Sequence, residues 1–109
     1  MSVALLTNAQ EKAASREYEA AENLFREYLK DNETDASAWA DLGYVLLKQQ
    51  KLYESGDAYA AAYDLEPENP KYINLLGDAL AELHQFEEAK LLFEKASKIS
   101  GNPRCNIRV

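Results

Sequence analysis

The chain is predicted to be all-α, three helix-turn-helix repeats stacked as a short solenoid, and three observations predict it. Apolar and small residues recur at an offset of 34 along most of the 109 residues. Within each segment they fall three or four apart, the spacing of one helix face. Glycine stands mid-segment at Gly43 and Gly77, each followed sixteen positions later by an aromatic, Tyr59 and Phe93.

The offset pairs Trp39 with Ile73, Leu42 with Leu76, Gly43 with Gly77 and Leu46 with Leu80. It also aligns Tyr18, Leu52 and Phe86, then Ala21, Ser55 and Ala89, and then Phe25, Tyr59 and Phe93. Ala62 matches Ala96, and Leu65 matches Ile99. The repeats therefore run over 2–35, 36–69 and 70–103, with a short tail 104–109, in one domain spanning 1–109.

Six helices follow, at about 3–14, 17–31, 36–49, 52–65, 70–83 and 86–99. The first departs from the pattern, with Asn8 and Lys12 at positions that are apolar elsewhere and Ala9 in place of glycine. The second carries Tyr18, Ala21 and Phe25. Asp35 is positioned to cap the third, whose inner stripe is Trp39, Leu42, Gly43 and Leu46. A mid-helix glycine costs about 1 kcal/mol against alanine, so a crossing helix must leave no room for a side chain there. Tyr59 and Phe93 would fill the adjacent space.

Gln49-Gln50-Lys51 supplies the turn into the fourth helix, which Ala58, Ala60, Ala61 and Ala62 make thin. Ser55-Gly56 is a weak point in that helix without an evident compensation. Asn69-Pro70 reads as a cap and first-turn proline for the fifth helix. His84-Gln85 turns the chain into the sixth. Trp39 is expected to be largely buried, and Tyr18, Tyr59 and Tyr63 have the spacing of core residues.

These residues resemble the tetratricopeptide repeat (TPR) family, whose repeat is ~34 residues of helix-turn-helix. The second unit carries Trp39, Leu42, Gly43, Tyr59, Ala62 and Pro67. The third carries Leu76, Gly77, Phe86, Ala89, Phe93 and Ala96, with Ile73 where tryptophan is common. The resemblance implies a right-handed superhelical solenoid and a non-enzymatic protein-protein interaction module, an adaptor or chaperone that binds a peptide or helix of a partner in its concave groove.

Composition agrees with a globular, acidic protein: 47% hydrophobic, 28% charged, and a net charge of −7. Such a charge repels phosphate backbones and anionic lipid, so neither nucleic acid nor a membrane is an expected partner. Cys105 and His84 are the only residues of their types, which leaves no disulfide and no multi-cysteine or multi-histidine metal set. The start lacks a basic segment and a long apolar run, so a cytoplasmic location is expected. No cofactor and no enzymatic activity are expected. His84 lies in a turn without a fixed partner, Cys105 has no activating base nearby in sequence, and the glycines are isolated. Glu22 with Arg26 reads as a solvated i,i+4 pair.

The expected groove lies on the first helix of each unit, opposite the core stripe. It comprises Ala40, Tyr44, Leu47 and Lys48 in the second unit and Asn74, Asp78, Ala81 and Glu82 in the third. The first unit adds Leu6, Gln10, Ala13 and Ala14. Tyr44 is the sharpest candidate, as exposed tyrosine supplies area with a polar tip. One TPR subgroup grips acidic chaperone tails with Lys, Asn and Arg across this groove, but here Leu6, Gln10, Tyr44 and Asp78 occupy those positions. Another, the class II type III secretion chaperones that hold translocator segments, is an alternative, although the extra N-terminal helical segment of that subgroup is not expected here.

A third class of function is self-association as a structural assembly unit. The first two units each carry a charge of −4, from four bases against eight acids and from two against six. The third with its tail carries +1, from six against five. Leu92 and Ile99 on the last helix, with Ile107 and Val109 in the tail, have no following helix to cover them. Either a homo-oligomer or partner helix docks on that surface, or the tail folds back over it.

Overall fold

A computed structural model describes residues 2–100 as six helices: α1 (Ser2–Ala14), α2 (Tyr18–Asp31), α3 (Ala36–Lys48), α4 (Leu52–Leu65), α5 (Pro70–Glu82) and α6 (Phe86–Ser100). Every expected boundary falls within one residue of the observed one. Each helix packs on its neighbours in the chain, and α1 also touches α3. The architecture is therefore an all-α helical-repeat solenoid, in which each unit buries the face of the one before it.

Local chemistry starts the helices. Asp35 Oδ1 accepts from the Ala38 amide at 3.1 Å and Asn69 Oδ1 from the Lys71 amide at 2.9 Å, with Pro70 in the first turn. The Tyr28 hydroxyl donates to the other Asp35 oxygen at 2.6 Å, so one carboxylate caps α3 and anchors it to α2. The turns inside the units repeat a left-handed residue: Arg16, Gln50 and His84 have φ of 66°, 65° and 64° and stand 34 apart.

The two glycines are required by packing. A Cβ on Gly43 would lie 2.6 Å from Cδ1 of Tyr59, and one on Gly77 would lie 2.7 Å from Cε1 of Phe93. Ser55 supplies the missing reason for its place in α4. It is fully buried and its hydroxyl donates to the Gly43 carbonyl at 2.8 Å, tying α4 to α3 where they approach most closely. Gly56 beside it faces Leu83, whose Cδ1 would touch a Cβ there at 3.7 Å.

The core forms two clusters. Phe25, Leu29, Leu42, Val45 and Leu46 centre the first, and Tyr59, Ala62, Tyr72 and Leu76 the second. Trp39 packs against both and is partly buried rather than fully enclosed. Its indole N–H donates to the Glu33 carbonyl at 2.9 Å in the loop between units, which holds that edge at the surface. In the first unit Ala9 is fully buried while Asn8 and Lys12 face solvent, giving a polar outer side.

Glu22 corrects the reading of Glu22 and Arg26 as a solvated pair. Glu22 is buried and accepts from Arg26 Nε at 2.8 Å, Gln49 Nε2 at 2.9 Å and Lys51 Nζ at 3.0 Å. Arg26 continues to Glu54 at 3.0 Å. Burial alone would raise the Glu22 carboxyl, but the hydrogen bonds from Arg26, Lys51 and Gln49 outweigh it and hold its pKa at about 2. The pair is one edge of a clamp between the first two units.

Candidate functional site

The first helices of the units place Gln10, Tyr44 and Asp78 in one column, each exposed and 34 residues from the next. Tyr44 is 45% exposed and meets the Tyr18 ring edge-on, with centroids 6.3 Å apart and planes at 78°. Lys48, one turn on, holds its ammonium 5.4 Å from the Tyr44 centroid. Asn74 and Glu82 are likewise exposed on α5. Two of the expected lining residues sit deeper. Ala40 is 6% exposed within the second core cluster, and Leu6 is half-buried against the first.

A recess of about 350 Å³ opens between α1 and α3, lined by Gln10, Ala13, Ala14, Arg16, Tyr18, Asp41 and Tyr44. Burial pushes the half-buried Asp41 carboxyl above its ordinary value, against a hydrogen bond from Gln10 and the field of Lys71. In the third unit, burial also raises Asp78, with the Glu82 charge adding to it. Tyr59 lies beneath these groups, and its phenol is pushed up to about 12 by burial and then by Asp78. The wall thus combines aromatic area with carboxylates already stripped of part of their water.

The recess contains Gln10, Ala13, Ala14 and Tyr44 from the expected set, and adds Arg16, Tyr18 and Asp41. Tyr18 was expected in the core from its helical spacing, yet it is half-buried, and Phe86 in its column is 61% exposed. Tyr63, also expected in the core, is half-buried and accepts from Lys95 Nζ at 2.8 Å. Among the described residues, no group of three or more His, Cys, Asp or Glu is arranged to hold a metal ion. No described helix is long and apolar enough to cross a membrane.

On the last helix, Leu92 packs against the second core cluster and Ile99 is half-buried, while Leu91 is 65% exposed. Cys105, Ile107 and Val109 lie outside the described residues.

The family model of the tetratricopeptide repeat matches residues 36–69 and 70–103, the second and third units as delimited above. The chain belongs to the tetratricopeptide repeat family. No curated protein sequence matches it. Solved structures share its fold. A MamA RS-1 double mutant superposes with a TM-score of 0.88 at 22% identity, over 92% of this chain and 56% of that one. The chain thus spans little more than half of that protein. The second TPR of Spaghetti (RPAP3), bound to the HSP90 peptide SRMEEVD, gives 0.83 at 21% identity, over 90% and 91% of the two chains. The Yersinia enterocolitica type III secretion chaperone SycD, in complex with a peptide of the translocator YopD, gives 0.83 at 17% identity, over 90% and 75%. At these identities the likeness shows the TPR fold. The first unit, which the family model leaves out, is nonetheless a helical pair like the other two.

Proposed function

We propose that this TPR chain is a non-enzymatic interaction module that holds a segment of another protein in its concave groove. The observation that carries the reading is the column of Gln10, Tyr44 and Asp78, with Tyr44 left 45% exposed beside a recess. Tyrosine there offers apolar area and a hydrogen-bonding tip at low entropic cost. Two fold neighbours are described with peptides bound, which supports the same use of the scaffold.

The charge pattern favours a segment with basic residues toward Asp78 and Glu82. An acidic tail such as SRMEEVD would set its carboxylates against Asp78 and Glu82. The chaperone reading, with an extended translocator segment as cargo, uses the same groove and is a narrower form of this proposal. A reducing cytoplasm is the compartment it assigns.

Random-peptide display selected on the full chain tests the proposal. Selected peptides are expected to lose most of their binding on Tyr44→Ala, to weaken on Asp78→Lys, and to weaken with salt. Peptides indifferent to both substitutions would place binding elsewhere and overturn it.

A second reading, self-association through the last helix, draws on Leu91 and Phe86, 65% and 61% exposed, more than on Leu92. Sedimentation over a range of concentrations decides it. A dimer lost on Leu91→Lys would support this reading, and a monomer throughout would remove it.

A further inference from the structure

The recess between α1 and α3 holds a carboxylate, Asp41, that is half-buried in its lining. Yet among the described residues no cation lies within ion-pair distance of it. Lys71 acts on it only through space, and among the described residues the Gln10 amide is the group whose hydrogen bonding favours its charge. The fold has therefore already removed part of this carboxylate's water without supplying a counter-charge. Beside it stand the edge-to-face rings of Tyr18 and Tyr44, with Ala13 and Ala14 keeping the recess open.

At about 350 Å³ the space is at the small end of ligand sites, which run ~300–1,000 Å³, and suits a single side chain. We propose that it is a socket for one arginine side chain of the segment held in the groove, its guanidinium paired with Asp41 and stacked on the tyrosine rings. This rests on the groove reading above.

Arginine fits better than lysine for physical reasons. A planar guanidinium gives two parallel hydrogen bonds to one carboxylate, is weakly hydrated, and stacks on aromatic faces. Lys48 already sits over Tyr44 as a cation, is exposed, and forms no ion pair among the described residues, so it can yield that face. Arg16 also lines the recess and opposes an incoming cation. It is exposed in the turn after α1, however, where solvent and salt screen it more than they screen the half-buried Asp41.

The direct test titrates N-acetyl-arginine methylamide into the isotope-labelled full chain, followed by amide chemical shifts, with the uncharged citrulline analogue alongside. Shifts are expected at Gln10, Ala13, Tyr18 and Tyr44 with arginine. Binding should weaken roughly tenfold with citrulline, and by a similar factor on Asp41→Asn. Equal binding of the two compounds, or shifts confined to other residues, would overturn the socket without reliance on any variant. The display selection separates the two proposals. Selected peptides that need Tyr44 but show no arginine enrichment, and tolerate Asp41→Asn, overturn the socket and leave the groove standing. A selection yielding no peptide that needs Tyr44 overturns both.

Discussion

The junction between the first and second units and the junction between the second and third occupy the same place in the repeat but use opposite chemistry. At the first, the buried Glu22 gathers Arg26, Gln49 and Lys51, and Arg26 reaches on to Glu54. Moved by 34 residues, those positions become Gly56, Ala60, Leu83, Gln85 and Glu88. The charged clamp is replaced by Leu83 lying against Gly56. The second junction places its polar contact elsewhere, between Lys95 and the Tyr63 hydroxyl. The repeat thus dictates where backbones meet, and each junction solves the contact separately. One solution depends on ionisation, and the other depends on shape.

The largest effect should be the one on which the units agree. Inside the second and third units, glycine faces an aromatic ring with no space for a Cβ. Gly43→Leu and Gly77→Leu should each destabilise by about 3 kcal/mol through overpacking. Denaturant unfolding measures both. A loss at one position but not the other would show that the units differ in their internal packing as well as in their junctions.

The next effect should separate the junctions. The Glu22 carboxyl is held at about 2 in the folded chain against 4.5 unfolded, a depressed folded value. Its contribution is therefore fully present above pH 4.5 and lost as pH falls toward 2, and it amounts to roughly 3 kcal/mol. Glu22→Gln should cost about 2 kcal/mol at neutral pH, less than the whole because the amide keeps some hydrogen bonds. The difference from wild type should shrink as pH falls below about 4.5, vanish before pH 2 is reached, and there change sign. Unfolding curves across that range check it, and a pH-independent difference would assign Glu22 a packing role only.

Copying the chemistry of the second junction into the first sharpens the comparison further. Glu22→Ala alone strips Lys51 of its acceptor and leaves Gln49 with backbone acceptors such as the Val45 carbonyl, while Glu22→Ala with Gln49→Leu rebuilds a small-residue and leucine contact. Buried ionic groups replaced together by apolar ones often cost little. The double variant should recover ~1 kcal/mol of the single variant's loss, a non-additivity expected of residues in contact. Simple addition of the two losses would mean that the junctions differ in backbone spacing too.

The contrast also explains what was legible in the sequence. Helices, caps, the crowded glycines and most of the core recur every 34 residues, so the pattern exposes them. The Glu22 clamp, the bond from Ser55 to Gly43, and the recess between α1 and α3 join positions that the period does not relate. Recurrence also misleads where it marks location rather than burial. Tyr18, Leu52 and Phe86 each begin a second helix beside a turn, where the ring or side chain is only partly covered. Of the groove, the exposed column through Tyr44 was readable from helical phase. Asp41 was not, because its burial depends on the neighbouring unit.

The smallest predicted effect tests the backbone identity beneath this chemical difference. Arg16, Gln50 and His84 hold positive φ at equivalent turns, a region in which a side chain costs roughly 1 kcal/mol and glycine nothing comparable. Glycine at Gln50 should stabilise the folded chain by about 0.5 kcal/mol, since its greater freedom when unfolded offsets part of the relief. Arg16→Gly should behave alike. His84→Gly should gain less, because the His84 ring stands edge-on to Phe86 at 5.6 Å and that contact is lost. Thermal unfolding of the three variants side by side resolves the order. A destabilisation at Gln50 would mean that its side chain contributes more than the left-handed backbone costs, and the turns would then differ as much as the junctions do.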